Sequence, residues 1–140
     1  MDIKIYTDGG SLGNPGPSAS AYVIYLDDKI IFKEGKRIGY ATNNRAEYMA
    51  LIFALEKVRS LIAEGKLEDV EVINVISDSN LLVQQVNGIF KVKNADIREN
   101  IMKIRILEQE VGIPIVYAHT LREGNSLADS LVKEVLATSR

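Results

Sequence analysis

The segment that most restricts the fold is residues 70–77, Val-Glu-Val-Ile-Asn-Val-Ile-Ser, which lies between two stretches with helical periodicity. Its β-branched and largely apolar composition is typical of a buried strand. A strand that follows one helix and precedes another pairs in parallel with an earlier strand, because parallel pairing requires a crossover. The segment therefore predicts an α/β fold in which helices cover both faces of a sheet.

The N-terminal third of the chain predicts three adjacent antiparallel strands. These strands are residues 3–8, 18–27 and 29–38. A loop rich in Gly, Pro and Asn (residues 9–17) joins the first two, and a turn at residues 27–29 makes the last two a hairpin. Short connections place such strands side by side.

The remaining elements complete a mixed five-stranded sheet. After Asn44 an apolar stripe with helical spacing begins, and this helix ends near Gly65. Beyond the buried strand the pattern predicts helices at 79–87, 95–111 and 126–137 and a fifth strand at 113–118. Since no repeat, linker or low-complexity stretch interrupts the chain, we expect one domain over residues 1–140.

Composition excludes several classes of protein. The apolar content of 46% and charged content of 26% are those of a soluble globular chain. There is no cysteine, so disulfides and thiolate zinc sites are excluded. No signal peptide precedes the first strand, and no apolar run is long enough to span a bilayer, so we expect cytosolic residence without membrane contact.

The net charge of −2 limits how a nucleic acid could be bound. Duplex affinity comes mainly from basic side chains that release counterions. An active site that binds divalent cations, however, concentrates negative charge, and the cations cancel it. We therefore expect a local stripe of Lys and Arg, with an affinity for nucleic acid that is modest and depends steeply on salt.

Four carboxylates lie where predicted strands or helices begin or end: Asp8, Glu47, Asp78 and Asp129. Each has a structural interpretation, which is a turn for Asp8, a capping box for Glu47 and Asp129, and an N-cap for Asp78. Asp8 and Asp78, however, end two strands that would converge at one edge of the sheet. Carboxylates that converge repel one another unless a cation neutralises them, and hard oxygen ligands suit Mg²⁺ or Mn²⁺.

Four motifs follow one another from the first strand to the last helix: Thr7-Asp8-Gly9-Gly10-Ser11-x-Gly13-Asn14-Pro15-Gly16, Thr42-Asn43-Asn44-Arg45-x-Glu47, Ser77-Asp78-Ser79, and His119 with Asn125 and Asp129. In this order they resemble type 1 ribonuclease H, and the resemblance covers essentially the whole chain. It implies a ribonuclease H-like fold with the strand order 3-2-1-4-5. It also implies an endonuclease that cuts the RNA strand of RNA–DNA hybrids, leaving 5′-phosphate and 3′-hydroxyl ends.

The resemblance assigns roles to site residues. Asp8, Glu47, Asp78 and Asp129 match the metal-binding acids of the family, and His119 matches a mobile-loop histidine that assists deprotonation or product release. Two Mg²⁺ ions roughly 4 Å apart, which Mn²⁺ could replace, would generate the attacking hydroxide and stabilise the departing 3′ oxygen. We expect Asp8 to bridge the ions, Glu47 and Asp78 to flank one, and Asp129 the other.

Substrate contacts are expected around these acids. The backbone of the Gly-rich loop and three asparagine amides suit recognition of 2′-hydroxyl groups in the minor groove, and two lysines could grip phosphates of the DNA strand. The residues are Gly9, Gly10, Asn14, Asn44, Asn80, Lys91 and Lys93. The alternatives are that the glycines serve a tight loop requiring positive φ and that the lysines are solvated loop residues.

Two departures from the family pattern bear on the substrate. Residues 88–94 stand where well-known members carry a basic protruding helix and loop, so the chain resembles a compact form without it. The segment from His119 to Asp129 resembles plant and archaeal versions more than bacterial ones, which leaves cleavage of double-stranded RNA open. The expected partner is therefore an RNA–DNA hybrid, with double-stranded RNA as a further possibility, bound by a monomer.

Other functions also fit parts of the pattern. One is a non-catalytic hybrid-binding module, although all four acids are present. Another is a metal-dependent phosphatase or nucleotide-binding protein whose Gly-rich loop holds a phosphate, although residues 9–16 lack the lysine and hydroxyl pair of a P-loop. A structure-selective nuclease of the same superfamily is a third alternative.

Overall fold

The computed structural model describes residues 1–138 and contains the five strands that the sequence predicts. They are β1 (Asp2–Ser11), β2 (Gly16–Leu26), β3 (Lys29–Ala41), β4 (Val72–Ser77) and β5 (Ile115–His119). The strand order is β3-β2-β1-β4-β5, with antiparallel pairing from β3 to β1 and parallel pairing from β1 to β5. The predicted mixed sheet and its order are confirmed.

Helices cover both faces of this sheet. They are α1 (Asn43–Ala63), α2 (Asn80–Val86), α3 (Ala95–Val111) and α4 (Ser126–Ala137), and a short 3₁₀ helix (Arg122–Asn125) precedes α4. Strand β2 shows the two-sided burial, because Tyr22 and Ile24 pack in the larger core with α1, whereas Ala19 and Ala21 pack against Val132 of α4. Within residues 1–138, none of the helices is both long and apolar enough to cross a lipid bilayer.

Helix α1 lies where the apolar stripe predicts it. Leu51, Leu55 and Val58 are completely buried against the sheet. Burial of an aliphatic side chain of this size stabilises a fold by roughly 1.5–3 kcal/mol. The preceding turn of the same helix carries Glu47, so the packing of the stripe also holds the first turn of α1 at the edge of the sheet.

The predicted loop at residues 9–17 is wrong in its extent. Strand β1 continues through Ser11, with Gly9 opposite Ser20 and Gly10 opposite Ala19 in the ladder with β2. Gly and Ser provide the same backbone N–H and C=O groups as any other residue, so a composition typical of turns does not prevent pairing. The expectation that the glycines require positive φ holds only at Gly13, where φ is 81°.

Gly9 is required for a different reason. A Cβ atom at this position would clash with the backbone of Ala46 and Glu47 near the start of α1. Only a residue without a side chain allows β1 and α1 to approach this closely. The contact places the first turn of α1 directly beside the strand that carries Asp8.

Candidate active site

Three carboxylates from three elements meet at one edge of the sheet. Asp8 belongs to β1, Asp78 directly follows β4, and Glu47 is the fifth residue of α1. The parallel ladder between β1 and β4 ends at the pair Thr7 and Ser77, so Asp8 and Asp78 are the next residues on neighbouring strands. One oxygen from each of the three carboxylates lies within 4.8 Å of the others.

Burial makes this cluster costly without a cation. Burial, together with the negative charges of Asp78 and Asp129, raises the pKa of Asp8 from 3.8 to about 7. Burial likewise raises the pKa of Glu47 well above its usual value, and the charges of Asp8 and Asp78 add to the effect. The Asp8 and Glu47 carboxyl groups also hydrogen-bond to each other, so this pair retains a proton at a pH where carboxyl groups are normally ionised.

The donor atoms fit a divalent cation. All three side chains provide carboxylate oxygens, which are ligands preferred by Mg²⁺ and Mn²⁺. The Oε2 atom of Glu47 is buried and has no hydrogen-bond partner among the described residues. A buried acceptor without a partner is destabilising, and a cation at the cluster would supply what it lacks.

The structural interpretations of Asp8 and Glu47 are wrong. Asp8 is not in a turn, because it pairs with Ala21 inside the β1–β2 ladder. Glu47 does not form a capping box with Asn44, because the N-cap of α1 is Thr42, whose side chain accepts a hydrogen bond of 3.1 Å from the backbone N–H of Arg45. Neither carboxylate therefore has a local structural role that would explain its burial.

The cap interpretations of the other two acids are also wrong. The hydroxyl of Ser79 caps α2 by accepting a hydrogen bond of 3.2 Å from the backbone N–H of Leu82, so Asp78 is not the cap. Helix α4 begins at Ser126, and its N-cap residue, Asn125, makes no side-chain capping bond. Ser126 is thus inside the helix and cannot form the predicted capping box with Asp129.

Asp129 lines the same cleft as the three clustered acids but is separate from their group. The cleft has a volume of about 390 Å³ and contains all four predicted acids. Asp129 lies in the first turn of α4, half-buried, and its Oδ2 atom is 2.9 Å from Nζ of Lys133. The structure therefore separates the acids into a three-carboxylate cluster and a fourth carboxylate that is paired with a lysine.

Asn125 fixes α4 relative to β1. Its side-chain Nδ2 donates a hydrogen bond of 2.7 Å to the backbone carbonyl of Thr7, and Asn125 is only 1% exposed. This bond ties the residue before α4 to the residue before Asp8. It explains how Asp129, far along the chain, comes to lie in the cleft with Asp8.

The other predicted site residues are placed as follows. Gly9 and Gly10 line the cleft, but as part of β1 and not of a loop. His119 is the exposed last residue of β5, opposite Ser77 in the ladder and so beside the strand end that leads to Asp78. It is not among the residues that line the cleft within the described part of the chain.

The predicted asparagines and lysines lie around the cleft rather than in it. Asn14 accepts a hydrogen bond of 3.0 Å from the backbone N–H of Asn43, Asn44 is half-buried in α1, and Asn80 is the exposed first residue of α2. Lys91 and Lys93 are exposed in the irregular segment between α2 and α3. Their proposed contacts with a nucleic acid stay predictions.

The sequence reasoning did not select six of the residues that line the cleft: the polar or charged Ser11, Asn43, Arg122 and Lys133, and the apolar Val132 and Leu136. Asn43 accepts hydrogen bonds from the backbone N–H of Ser11 at 2.9 Å and from its hydroxyl at 3.2 Å, which joins the start of α1 to the end of β1. Lys133 had a usable signal, since it lies four residues after Asp129 on a predicted helix. Arg122 had none, because only the placement of the 3₁₀ helix brings it to the cleft.

The sheet order and the acidic edge define an α/β protein with a carboxylate cleft suited to a divalent cation. The family model for RNase H matches residues 1–137. The chain belongs to the ribonuclease H family, whose members depend on divalent metal ions. The resemblance to type 1 ribonuclease H is confirmed by this match and by the similarity to ribonuclease HI and RNase H1 proteins.

Particular relatives are similar along nearly the whole chain. Ribonuclease HI of Halobacterium salinarum is 37% identical over 136 residues, which is 96% of this chain and 64% of that protein. The chain thus spans less than two-thirds of that relative's length. It is also 36% identical to the bifunctional protein Rv2228c of Mycobacterium tuberculosis over 97% of this chain, which corresponds to only 36% of that protein. The crystal structure of LC11-RNase H1 in complex with an RNA/DNA hybrid has 40% identity and a TM-score of 0.89, and the match covers 98% of each chain.

Proposed function

We propose that this protein is a metal-dependent endoribonuclease that hydrolyses the RNA strand of RNA–DNA hybrids and leaves 5′-phosphate and 3′-hydroxyl ends. The observation that carries the proposal is the convergence of Asp8, Glu47 and Asp78, whose oxygens lie within 4.8 Å of one another at an open cleft. Membership of the ribonuclease H family and the similarity to LC11-RNase H1, which was crystallised with a hybrid, support the same substrate.

The residues divide the chemistry between them. Asp8, Glu47 and Asp78 would hold one cation, and Asp129 together with Asp8 would hold a second. When bound, divalent ions supply activation of a water molecule and neutralisation of the charge that develops on the phosphate and the leaving oxygen. Asp8 and Glu47 must release the proton they share before both can act as ligands, so we expect activity to rise with pH.

Other side chains position the substrate. Arg122 is exposed at the rim of the cleft and forms no ion pair within residues 1–138, so its guanidinium is available for a phosphate. Asn43 and the backbone of Gly9, Gly10 and Ser11 provide donors and acceptors of the kind that recognise a 2′-hydroxyl group. His119, exposed beside the strand end that leads to Asp78, would exchange protons with solvent or with the leaving group.

A strand-specific cleavage assay tests the proposal. Hybrid, double-stranded RNA and double-stranded DNA, each labelled on one strand, are incubated with Mg²⁺ or Mn²⁺ over a range of concentrations and with EDTA. We expect metal-dependent cleavage of the RNA strand of the hybrid, with 5′-phosphate products, and slower or no cleavage of double-stranded RNA. Failure to cleave any substrate, combined with binding of the hybrid, would instead indicate a non-catalytic binding module.

A further inference from the structure

The cleft contains two cationic side chains that differ in their partners. Arg122 forms no ion pair within residues 1–138, whereas Nζ of Lys133 lies 2.9 Å from Oδ2 of Asp129. Lys133 and Asp129 are one helical turn apart on α4, and their side chains are 74% and 27% exposed. The ammonium group is therefore at the solvent side of the pair, and the carboxylate is at the cleft side.

The carboxylate of Asp129 can be neutralised in two ways. In the structure its partner is the ammonium group of Lys133. The three other acids lie in the same cleft, and the charge of Asp129 is felt at Asp8. A divalent cation at this position carries twice the charge of the ammonium and would displace it from the carboxylate.

Displacement would leave Lys133 without a partner at the rim of the cleft. The side chain has a flexible four-carbon stem, so its ammonium can move to a new anion while the helix stays in place. In a site that binds a nucleic acid backbone, the nearest anion available is a phosphate. We propose that Lys133 is a phosphate-binding residue of the substrate site. It stays ion-paired with Asp129 until Asp129 ligates a cation. This inference rests on the proposed function, since it assumes a nucleic acid substrate.

The strength of the ion pair between Lys133 and Asp129 is compatible with such an exchange of partners. A partly exposed pair with this helical spacing changes an equilibrium constant by no more than about fivefold, so it is easily broken. One lysine that engages one phosphate contributes about 0.9 to the slope of log affinity against log salt concentration. The exchange is therefore weak enough to be reversible and large enough to measure.

The test is a double-mutant cycle on hybrid binding in EDTA, where no cleavage occurs and no added metal competes. The proteins are the wild type, Asp129→Asn, Lys133→Gln and the double variant. In the wild type Lys133 is already occupied, so we expect Lys133→Gln to weaken binding by less than about twofold. In the Asp129→Asn background the lysine is released, and we expect the same substitution to weaken binding by about fivefold and to lower the salt slope by about one.

A matched control separates this effect from the general loss of a positive charge. Lys66 follows α1, whose 21 residues put its C-terminal end about 30 Å from the first turn at the cleft. Lys66 also has an acidic partner, Glu64, with 3.3 Å between Nζ and Oε1. We expect Lys66→Gln to change hybrid binding equally little in the wild-type and Asp129→Asn backgrounds.

A second measurement follows the cation without any substrate. In calorimetric titration with Mn²⁺, Lys133→Gln is expected to raise the affinity of the ion that depends on Asp129 by up to about fivefold, because the competing ammonium is gone. Equal effects of Lys133→Gln in both backgrounds of the binding cycle would overturn the inference while leaving hybrid binding intact. A wild-type protein that binds no hybrid at all would overturn the proposed function itself.

Discussion

The two sides of the cleft are built differently. On one side, Asp8, Glu47 and Asp78 are held by the β1–β4 ladder and by the start of α1 against Gly9, and one oxygen from each lies within 4.8 Å of the others. On the other side, Arg122, Asp129 and Lys133 extend from the 3₁₀ helix and α4 with exposed or half-exposed side chains. Backbone pairing fixes the positions of the carboxylates on the first side. On the second side the charged groups are at the ends of side chains that can rotate.

This difference predicts different responses to substitution. On the buried side, the pKa values of Asp8 and Glu47 are raised and Glu47 has an unsatisfied acceptor, so removal of one of these carboxylates should change metal binding and activity together. Groups on the exposed side are solvated and should tune substrate binding and proton transfer. The following experiments test whether substitutions on the two sides of the cleft differ in this way.

The largest effect is expected for Asp8→Asn. Loss of the central carboxylate should lower the cleavage rate by at least about 10²–10³-fold, the range seen when one electrostatic group of an active site is removed. Binding of the hybrid in EDTA should be retained or tightened, because a negative charge is lost from the cleft. Cleavage assays and a binding titration check both parts, and substantial Mg²⁺-dependent turnover by this variant would show that Asp8 is not a required ligand.

The stability of the metal-free protein should depend on pH. The pKa of Asp8 is about 7 in the folded state against 3.8 without the fold, and that of Glu47 is also raised, so the native state binds more protons than the unfolded state between these values. Stability should therefore fall as pH rises from 3.8 towards about 7, and added Mn²⁺ should restore it at neutral pH. Thermal melts of the wild type and Asp8→Asn in EDTA measure this, and a wild-type curve no steeper than that of the variant would contradict the assignment.

His119→Ala should reduce kcat by about 10²-fold, as expected for loss of a group that transfers protons. Its exposed position at the end of β5 predicts little change in stability or in hybrid affinity. Added imidazole should restore part of the rate if the side chain acts through proton transfer. A variant with the wild-type rate would assign no catalytic role to His119.

Substitutions of Arg122 test whether the exposed side requires only a positive charge or a guanidinium group in particular. We expect Arg122→Gln to lower kcat/KM by about tenfold, mainly through KM, because a phosphate contact is lost. Arg122→Lys keeps the charge and should recover most of the loss. Steady-state kinetics with both variants decides, and an unchanged KM in Arg122→Gln would remove this residue from the substrate site.

The smallest effect is expected for the double substitution of Lys91 and Lys93 by Gln. These lysines are exposed in the segment between α2 and α3, and their removal should weaken hybrid binding by about threefold and reduce its salt dependence. Lys29, in the β2–β3 hairpin at the opposite end of β1 from Asp8, serves as the control. If Lys29→Gln has the same effect as the double substitution, the two lysines act only through net charge.

The sequence predicts the fold well where burial imposes a period. The helical stripe that includes Leu51 and Leu55 and the largely apolar strand β4 both follow from side chains that must face a core. The predicted extent of the loop at 9–17 was wrong, because residues 9–11 pair with β2. A high glycine content indicates a flexible backbone, but strand pairing depends on backbone N–H and C=O groups, which glycine also has.

The sequence predicts the position of some cleft residues and not of others, for geometric reasons. The meeting of Asp8 and Asp78 follows from adjacent parallel strands that end at the same edge. Asn43 lines the cleft and its predicted neighbour Asn44 does not, a difference that the motif does not reveal because successive helical positions differ by about 100° in direction. Arg122 belongs to the 3₁₀ helix that ends at Asn125, and Asn125 bonds to Thr7, 118 residues away in sequence, so no local pattern predicts its position.

The contact between α1 and Gly9 has a consequence for how the chain tolerates change. The spacing of Asp8 and Glu47 is determined by two backbones that touch, with no side chain between them. Larger or smaller residues deeper in the core should alter melting temperature without altering that spacing, whereas one added methyl group at Gly9 should separate the two acids in an otherwise well-packed protein. Core residues of this fold can therefore be substituted without a change in the spacing of the catalytic carboxylates.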